Sequence, residues 1–303
     1  MKRMVLFTGS TGLNTEIDPV RHVYSPETGV AEFAVSKNVD FDYTGKPSLR
    51  KGWKYTAVTG ECHSLFCDGG TCLFVRDDAL NILAGDFSVK PIRNVTVGAR
   101  MSYAQIGDKI YYVNGREIGF VKGNASFSWS KPTVVHGVKD STKVLSGPPT
   151  GNLVEYFNGR MYIVQSNVAW VSEQYDVNAY DLGKSFIPFE ASVTMFTGVA
   201  SGVWVGTSSR IVFLRGTFPG DFRYEVKGLF GVVARTATKV DSFLVGDGSI
   251  QDIGVVFVTK YGPCLGTSDG RLVPLSERKL TIPGAVRGAG VVFNKNYVFT
   301  LES

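Results

Sequence analysis

The chain has 303 residues, of which 44% are hydrophobic and 12% aromatic, and its formal net charge at pH 7 is +5. No run of lysine and arginine exceeds two residues, so the sequence lacks the basic arm that is typical of nucleic-acid readout. No apolar stretch approaches the roughly 20 residues of a membrane-spanning helix, and no helical pattern is longer than about three turns. The composition, with 35 glycines, favours short strands joined by tight turns.

The first residues resemble two familiar signals without completing either. The apolar run Met4–Phe7 follows a lysine and an arginine, but it is shorter than the roughly 7–15 residues of a signal peptide. We therefore expect synthesis in a reducing cytosol. The glycines of Gly9–Gly12 suggest a dinucleotide-binding turn, but Thr15 stands where the third glycine belongs and Pro19 prevents a long helix there. The sequence predicts no nucleotide cofactor.

Residues 1–60 differ in composition from the rest of the chain. Residues 9–60 are rich in Gly, Pro, Asp, Thr and Lys, with short apolar pieces at Ala31–Val35 and Val39–Tyr43. The segment holds more aromatic residues than a solvated linker should. We predict an extended N-terminal arm that packs on the main domain or on a neighbouring subunit.

From residue 61 onward the same strand–turn–strand layout recurs. The best copy is Leu153–Ser172, in which Asn158-Gly159 separates two apolar runs and predicts a type I′ hairpin turn. Middle strands of six such units start near Leu73, Ile110, Met161, Val203, Val255 and Tyr297. Spacing of roughly 40–50 residues is typical of a β-propeller, with a β-sandwich as the alternative. We predict an all-β fold, a propeller of about six blades (five to seven) over residues 61–303.

The last unit, Gly290–Ser303, has two strands where the others have at least three. An incomplete blade leaves an unpaired edge. We expect Met4–Thr8, or alternatively Val39–Tyr43, to pair with the Tyr297–Leu301 strand and close the ring.

The arm resembles the N-terminal region of tailed-bacteriophage virion proteins. The resemblance lies in GLNTEIDP at Gly12–Pro19 and in NVDFDYTGKPSLRKGW at Asn38–Trp53. The motif positions are an Asn-hydrophobic-Asp strand, a glycine, and then basic residues with a glycine: Asn38, Val39, Asp40, Gly45, Arg50, Lys51 and Gly52. The group resembled is the β-propeller tail proteins of short-tailed phages, the nozzle or tail-hub subunits below the portal and adaptor. This chain lacks the long insertions of many nozzle proteins, which leaves a smaller propeller hub or a head-to-tail protein as an alternative within the resemblance.

The resemblance implies a structural virion protein made in the bacterial host cytoplasm. It implies a homo-oligomeric ring, a hexamer by analogy, that contacts the portal or adaptor and the tail spike or fibre proteins. Double-stranded DNA would pass through the ring without sequence readout. The alternatives are a carbohydrate-binding or glycoside-hydrolysing propeller and a protein-binding propeller scaffold.

The sequence predicts no catalytic, cofactor or metal site. Cys62, Cys67 and Cys72 lie in the first hairpin, but a zinc site would need a second ligand pair. We expect free cysteines that pack as small hydrophobic residues, since a disulfide is unusual in a reducing cytosol. Thr267–Gly270 resembles the centre of a sialidase Asp-box turn, but a single copy fits a plain hairpin turn. The chain has three histidines and no nucleophile elbow.

Two long connections, Gly123–Pro149 and Ser172–Pro188, carry aromatic residues. Ordered loops on a propeller face often contact partners, and aromatic side chains suit interfaces, although they can also cap their own blades. Together with the aromatics of the arm, they give the candidates for subunit contact: Trp129, Tyr175, Tyr180, Phe186, Phe41, Tyr43 and Trp53.

Overall fold

The structure of the chain is a computed structural model. It describes residues 9–22, 24–25, 30–41, 45–52, 58–68, 70–130, 144–241, 252–276, 279–282, 284–293 and 296–302. Over these ranges the regular structure consists of 28 β-strands and two short 3-10 turns, Pro19–Arg21 and Pro219–Asp221. No helix there is of the length and hydrophobicity needed to cross a membrane.

The described part of the arm forms two small sheets. Their strands are β1 (Gly9–Leu13), β2 (Tyr24–Ser25), β3 (Val30–Phe33), β4 (Val39–Phe41) and β5 (Pro47–Leu49). β3 pairs in parallel with β1 and antiparallel with β2, while β4 and β5 form a hairpin. The rings of Phe33 and Phe41 pack against each other, with 5.5 Å between their centroids, and this contact connects the two sheets. The arm rests on the main domain through Thr15, whose backbone N–H donates to the Lys279 carbonyl at 2.8 Å.

Five antiparallel blades follow along the chain, four with four strands and the third with five. Blade 1 comprises β6 (Cys62–Asp68), β7 (Thr71–Arg76), β8 (Ala79–Leu83) and β9 (Val89–Asn94). Blade 2 comprises β10 (Ser102–Ile106), β11 (Lys109–Val113), β12 (Ile118–Lys122) and β13 (Ala125–Ser128). Blade 3 comprises β14 (Leu153–Phe157), β15 (Arg160–Gln165), β16 (Val168–Glu173) and β17 (Asp176–Tyr180), with β18 (Phe186–Pro188) also on β16. Blade 4 comprises β19 (Val193–Val199), β20 (Gly202–Thr207), β21 (Ile211–Arg215) and β22 (Arg223–Gly228).

Blade 5 comprises β23 (Thr238–Asp241), β24 (Ile253–Thr259), β25 (Gly262–Gly266) and β26 (Leu272–Pro274). The sixth unit has only β27 (Arg287–Phe293) and β28 (Asn296–Glu302), and we call it the half-blade. The first strand of every unit lines one central cavity. This is a β-propeller with five complete blades and a half-blade, so the predicted all-β propeller of about six units is confirmed.

The hydrophobic core is divided among the junctions between successive units. Blades 1 and 2 bury Leu73 and Tyr112 together, and blades 4 and 5 bury Trp204 and Phe257 together. Similar clusters join blades 2 and 3, blades 3 and 4, and blade 5 and the half-blade. Second strands are almost wholly apolar because both of their faces pack on a neighbouring blade, as in β20. Among the described residues, no such cluster joins the half-blade to blade 1.

The predicted turn at Asn158-Gly159 is confirmed. Both residues have positive φ, 46° and 77°, as a type I′ turn requires. A Cβ on Gly159 would lie 2.7 Å from a ring carbon of Tyr175, so the position favours glycine for its space as well as for its conformation.

We expect Gly159→Val to lower the free energy of unfolding by about 1–3 kcal/mol, because a β-branched residue is strained at this φ and displaces the Tyr175 ring. Thermal unfolding of the purified variant measures the loss. Gly85→Val is the control, since Gly85 lies in another turn without positive φ and has no atom within 4 Å of its Cβ position. An unchanged melting temperature for Gly159→Val would contradict the assignment.

The two strands that we expected to close the ring have different outcomes. Val39–Phe41 pairs with Pro47–Leu49 inside the arm, so its predicted pairing with the last strand is wrong. Pairing within the local hairpin is favoured because its two strands are neighbours in sequence, so closing the short loop between them costs little entropy. Met4–Thr8 lies outside the described residues.

Candidate functional site

The first strands of the blades meet around a central cavity of about 930 Å³. Blades 1 to 5 contribute β6, β10, β14, β19 and β23, and the half-blade contributes residues of both its strands. Because side chains from all six units converge here, distant parts of the sequence can act together in this cavity.

A carboxylate–ammonium pair spans the cavity between blades 3 and 5. Glu155 on β14 accepts hydrogen bonds from Lys239 Nζ on β23 at 2.6 Å and from the backbone N–H of Gly198 on β19 at 3.1 Å. The Glu155 side chain is only 12% exposed. Burial raises the pKa of this carboxyl, and Lys239 opposes that rise. The pair therefore holds three first strands together across the axis.

A second crosslink lies where the first strands begin. Arg235 precedes β23, and its guanidinium donates to the carbonyls of Met101 (2.9 Å), Arg100 (3.2 Å) and Asn152 (2.9 Å). Burial lowers the pKa of Arg235 to about 10, with the nearby Arg100 cation as the next cause. The side chain thus connects blade 5 to the starts of blades 2 and 3. These bonds join blades that are not neighbours along the chain, at one end of the central cavity.

His63 lies near the start of β6, close enough to Arg100 and Arg235 for their charges to act on it. His63 Nδ1 lies 2.8 Å from Ser64 Oγ, which also accepts from the backbone N–H of Met101 at 2.9 Å. Burial lowers the pKa of His63, and the Arg100 and Arg235 cations lower it further. In the part of the chain that the structure describes, no group of three or more His, Cys, Asp or Glu residues is placed to hold a metal ion.

The expectation of free, buried cysteines needs correction. Cys67 and Cys72 face each other across the first hairpin of blade 1 and form a disulfide, with their Cα atoms 4.2 Å apart. The turn between them places the two residues in register, which brings the thiols into bonding distance. Cys62 is exposed rather than buried, whereas Cys264 is buried as expected.

Two of the candidates for subunit contact are buried in their own chain. Trp129 is 3% exposed and Tyr180 is 0% exposed. The Trp129 ring stands 4.8 Å from that of Tyr111, and its Nε1–H donates to Asn178 at 3.1 Å. Both candidates fill the junction between blades 2 and 3. The prediction that Trp129 and Tyr180 contact another subunit is therefore corrected. They cap their own blades, which is the alternative that the sequence left open.

The other candidates divide between the surface, the arm and residues that are not described. Tyr175 is 79% exposed and Phe186 is 42% exposed. The Phe186 ring packs on that of Trp170, with 5.4 Å between the ring centroids. Phe41 packs against Phe33 within the arm. Tyr43 and Trp53 lie outside the described residues. The five candidates that the structure describes do not form one exposed patch, because two of them are buried.

The turn that resembles a sialidase Asp-box is satisfied by its own residues. Thr267 Oγ1 donates to the Asp269 carboxylate and accepts from the backbone N–H of Arg271 at 2.9 Å. Arg271 Nε completes the turn by donating to Asp269 at 3.1 Å. These bonds close the hairpin between β25 and β26, as a plain turn would.

The comparison with protein-family models gives no match, and neither does the comparison with curated proteins. Among solved structures, the extracellular domain of a hybrid two-component system of B. thetaiotaomicron aligns over 77% of this chain with a TM-score of 0.48 and 11% identity. The present chain spans 32% of that chain.

A catalytically inactive virginiamycin B lyase from Staphylococcus aureus, solved with quinupristin, aligns with a TM-score of 0.46 and 12% identity over 87% of this chain and 84% of its own. The N-terminal domain of Nup159 aligns with a TM-score of 0.45 and 8% identity, over 84% and 76% of the two chains. No activity or partner passes from these proteins to the present chain.

Proposed function

We propose that this chain is a structural subunit of a tailed-phage virion, a propeller that assembles into a ring at the tail nozzle or hub. The observation that carries the proposal is the arrangement of the arm motif, whose residues meet in one hairpin. In this role the propeller is a rigid body and the arm is the assembly element.

The motif residues hold the β4–β5 hairpin in shape. Arg50 donates through Nε to the Asp40 carboxylate at 2.9 Å, and its backbone N–H donates to the Asn38 carbonyl at 2.9 Å. Gly45 has φ 79°, and a Cβ there would lie 2.3 Å from the Ser10 carbonyl oxygen. The acidic residue, the basic residue and the glycine on which the resemblance rests therefore contact one another or the neighbouring strand β1 in this part of the arm.

The arm also offers apolar surface to a neighbour. Val20 is 92% exposed, Val35 68% and Leu49 85%. Val20 lies in the 3-10 turn, Val35 follows β3 and Leu49 ends β5, so each is available to a neighbouring subunit in the proposed ring. The arm rests on the propeller through few contacts, among them the bond from Thr15 to Lys279 and the ion pair between Lys279 and Glu32 at 3.2 Å.

The opening for DNA would be formed between subunits rather than through one propeller. The bonds of Arg235 and the Glu155–Lys239 pair join different blades within the central cavity. A ring of several subunits can enclose a wide opening, and a modest positive charge at its wall needs no base contacts to let DNA pass. The portal or adaptor and the tail spike or fibre proteins would occupy the two faces of the ring.

Deleting residues 9–60 from the full chain should leave folded monomers that no longer assemble. Gly45→Val should have the same effect with a single substitution, because it displaces the hairpin from Ser10. Gly123→Val is the matched control, since Gly123 also has positive φ (56°) but has no atom within 4 Å of its Cβ position and lies in a turn of blade 2.

Light scattering gives the mass of each variant, and circular dichroism checks that its blades are folded. Rings that persist in both arm variants would show that the arm is not the assembly element. A folded monomer for the unaltered chain at every concentration would instead favour a protein-binding scaffold.

A further inference from the structure

Two arginines and a histidine gather at one end of the central cavity. Arg100 and Arg235 both line the cavity. After burial, the charges of these two arginines are the causes that lower the pKa of His63. The Arg100 cation also lowers the pKa of Arg235, again after burial as the larger cause. The guanidinium groups therefore lie close enough to repel each other, and a bound anion relieves that repulsion.

The described carboxylates do not neutralise these two arginines. Arg235 donates to three backbone carbonyls, and among the described residues it has no carboxylate partner. Arg100 reaches Glu302 at 3.9 Å, but Arg287 holds that carboxylate through two bonds of 2.6 Å. Glu61 acts on the histidine less than either arginine does. Positive charge is therefore in excess at this end of the cavity.

The other charged residues of the lining do not offset this excess. They are Asp68, Glu155 and Lys239. The last two form the ion pair described above, and Asp68 stands at the opposite end of β6 from His63. An anionic ligand is therefore attracted to the arginine end of the cavity rather than to its middle.

Two buried polar atoms near the arginines have no hydrogen-bond partner among the described residues, Tyr103 Oη and His63 Nε2. Tyr103 lines the cavity, and its ring packs on Phe66 with 5.1 Å between the centroids. Ser64 Oγ accepts from a backbone N–H and lies 2.8 Å from His63 Nδ1, so its proton can go to Nδ1 and leave Nε2–H as a donor. A buried donor without an acceptor is unfavourable, and an oxyanion supplies acceptors.

Strained backbone holds the groups of this end in place. Ser64 and Arg235 have positive φ, 56° and 69°, which is unfavourable for residues other than glycine and is often found at binding sites. A bulge at Ser64 and Leu65 interrupts the pairing of β6 with β7. Both residues of the bulge line the cavity, and Leu65 is 66% exposed. Bulges often occur beside functional sites, where they redirect side chains.

The size and the walls of the cavity suit a small molecule. Its volume of about 930 Å³ lies within the range of ligand pockets. Apolar side chains from several units form much of its wall: Leu65, Phe66, Met101, Met195, Phe196 and Phe299. We propose that the cavity binds a small organic oxyanion, a phosphate ester or a carboxylate, with its anionic group beside Arg100 and Arg235 and its apolar part against this wall. A guanidinium fork matches the geometry of either group. The site lies within one subunit, so it does not depend on assembly into a ring.

Calorimetric titration of the full chain at constant ionic strength tests the site with three probes that share a benzene ring. Phenyl phosphate and benzoate carry an oxyanion, and benzyl alcohol is neutral. We expect at least one of the two anions to bind saturably, and benzyl alcohol to bind at least about tenfold more weakly. The anion that binds more tightly identifies the head group. A lack of saturable binding by both anions, or equal binding of benzyl alcohol, would overturn the proposal.

Arg100→Met assigns the anionic group to its place in the cavity. The substitution removes one cation but keeps the backbone carbonyl that accepts from Arg235, so the crosslink between the blades remains. It should weaken anion binding at least about tenfold. Arg223→Met is the matched control, because this arginine is exposed on the outer strand of blade 4, and it should leave the affinity unchanged. Equal weakening by both substitutions, or none by Arg100→Met, would contradict the site.

Tyr103→Phe separates binding from folding. Removing a buried hydroxyl without a partner should not lower the stability of the free protein, but it should weaken anion binding about fivefold if that hydroxyl donates to the ligand. Tyr162→Phe is the control, since its hydroxyl is also buried without a partner among the described residues but lies in the junction between blades 3 and 4. Unchanged affinity of Tyr103→Phe, or an equal loss in Tyr162→Phe, would place the anion away from this end of the cavity and overturn the assignment.

Discussion

Arg235→Met should lower the free energy of unfolding by about 2–4 kcal/mol, because it removes charge-assisted hydrogen bonds to three backbone carbonyls. The guanidinium serves three carbonyls from the starts of blades 2 and 3. Methionine fills part of the space but donates nothing, so these carbonyls lose their guanidinium partner, and of the three residues only Met101 is buried. The loss should appear in chemical denaturation as a lower midpoint with an unchanged slope.

Two companion variants make the Arg235 result specific. Arg223→Met removes a guanidinium that is exposed on the outer strand of blade 4 and should change stability by less than about 0.5 kcal/mol. Arg235→Lys keeps the charge but not the planar fork, and it should recover only part of the stability. Equal stability of Arg235→Met and the parent chain would mean that the blades do not depend on this crosslink.

Lys239→Met should lower the free energy of unfolding by about 2–4 kcal/mol near pH 8. The substitution leaves the Glu155 carboxylate buried without its ammonium partner. Since 47% of the Lys239 side chain is exposed, solvent screens part of the interaction and the expected loss lies at the lower end of the range for buried pairs. Lys122→Met is the control, because its pair with Asp108 is well exposed and should contribute little.

The loss of stability caused by Lys239→Met should grow as the pH rises. Burial already raises the pKa of Glu155, and loss of the lysine raises that pKa further. A carboxyl whose pKa is higher in the folded than in the unfolded state favours folding fully below its unfolded pKa of about 4.3, and this contribution is lost as the pH rises through the folded pKa. The variant should therefore be closest to the parent chain in acid and furthest from it at alkaline pH. A pH-independent difference in melting temperature would contradict this account.

The propeller could be predicted from the sequence because its signals are local. Asn158-Gly159 fixes a turn by its backbone preferences, and the six apolar second strands from Leu73 to Tyr297 repeat at blade spacing. The shortness of the last unit was visible for the same reason. Each of these features depends on residues that are neighbours in the chain.

The cavity could not be predicted, because its contacts join residues far apart in sequence. Glu155 and Lys239 are 84 residues apart, and Arg235 reaches back 134 residues to Met101. The only local signal was a charged residue within an apolar first strand, as Glu155 is in LVEYF. The burial of Trp129 and Tyr180 was missed for a related reason, since an aromatic residue in a loop is equally suited to an interface or to a blade junction.

The Cys67–Cys72 disulfide was not predicted because we expected a reducing cytosol, in which disulfides are rare. The register of the hairpin alone would have predicted it. Cys67 and Cys72 were already opposite each other in the predicted hairpin. Pairing across a short turn depends on backbone geometry alone, and it needs no information about the rest of the fold.

Negative-stain imaging of the purified, unaltered chain tests the proposed function most directly. The account predicts closed rings with a wide central opening, in which each subunit shows a propeller body and the rings disappear when residues 9–60 are deleted. Single propellers at every protein concentration, with no rings in the intact chain, would contradict it.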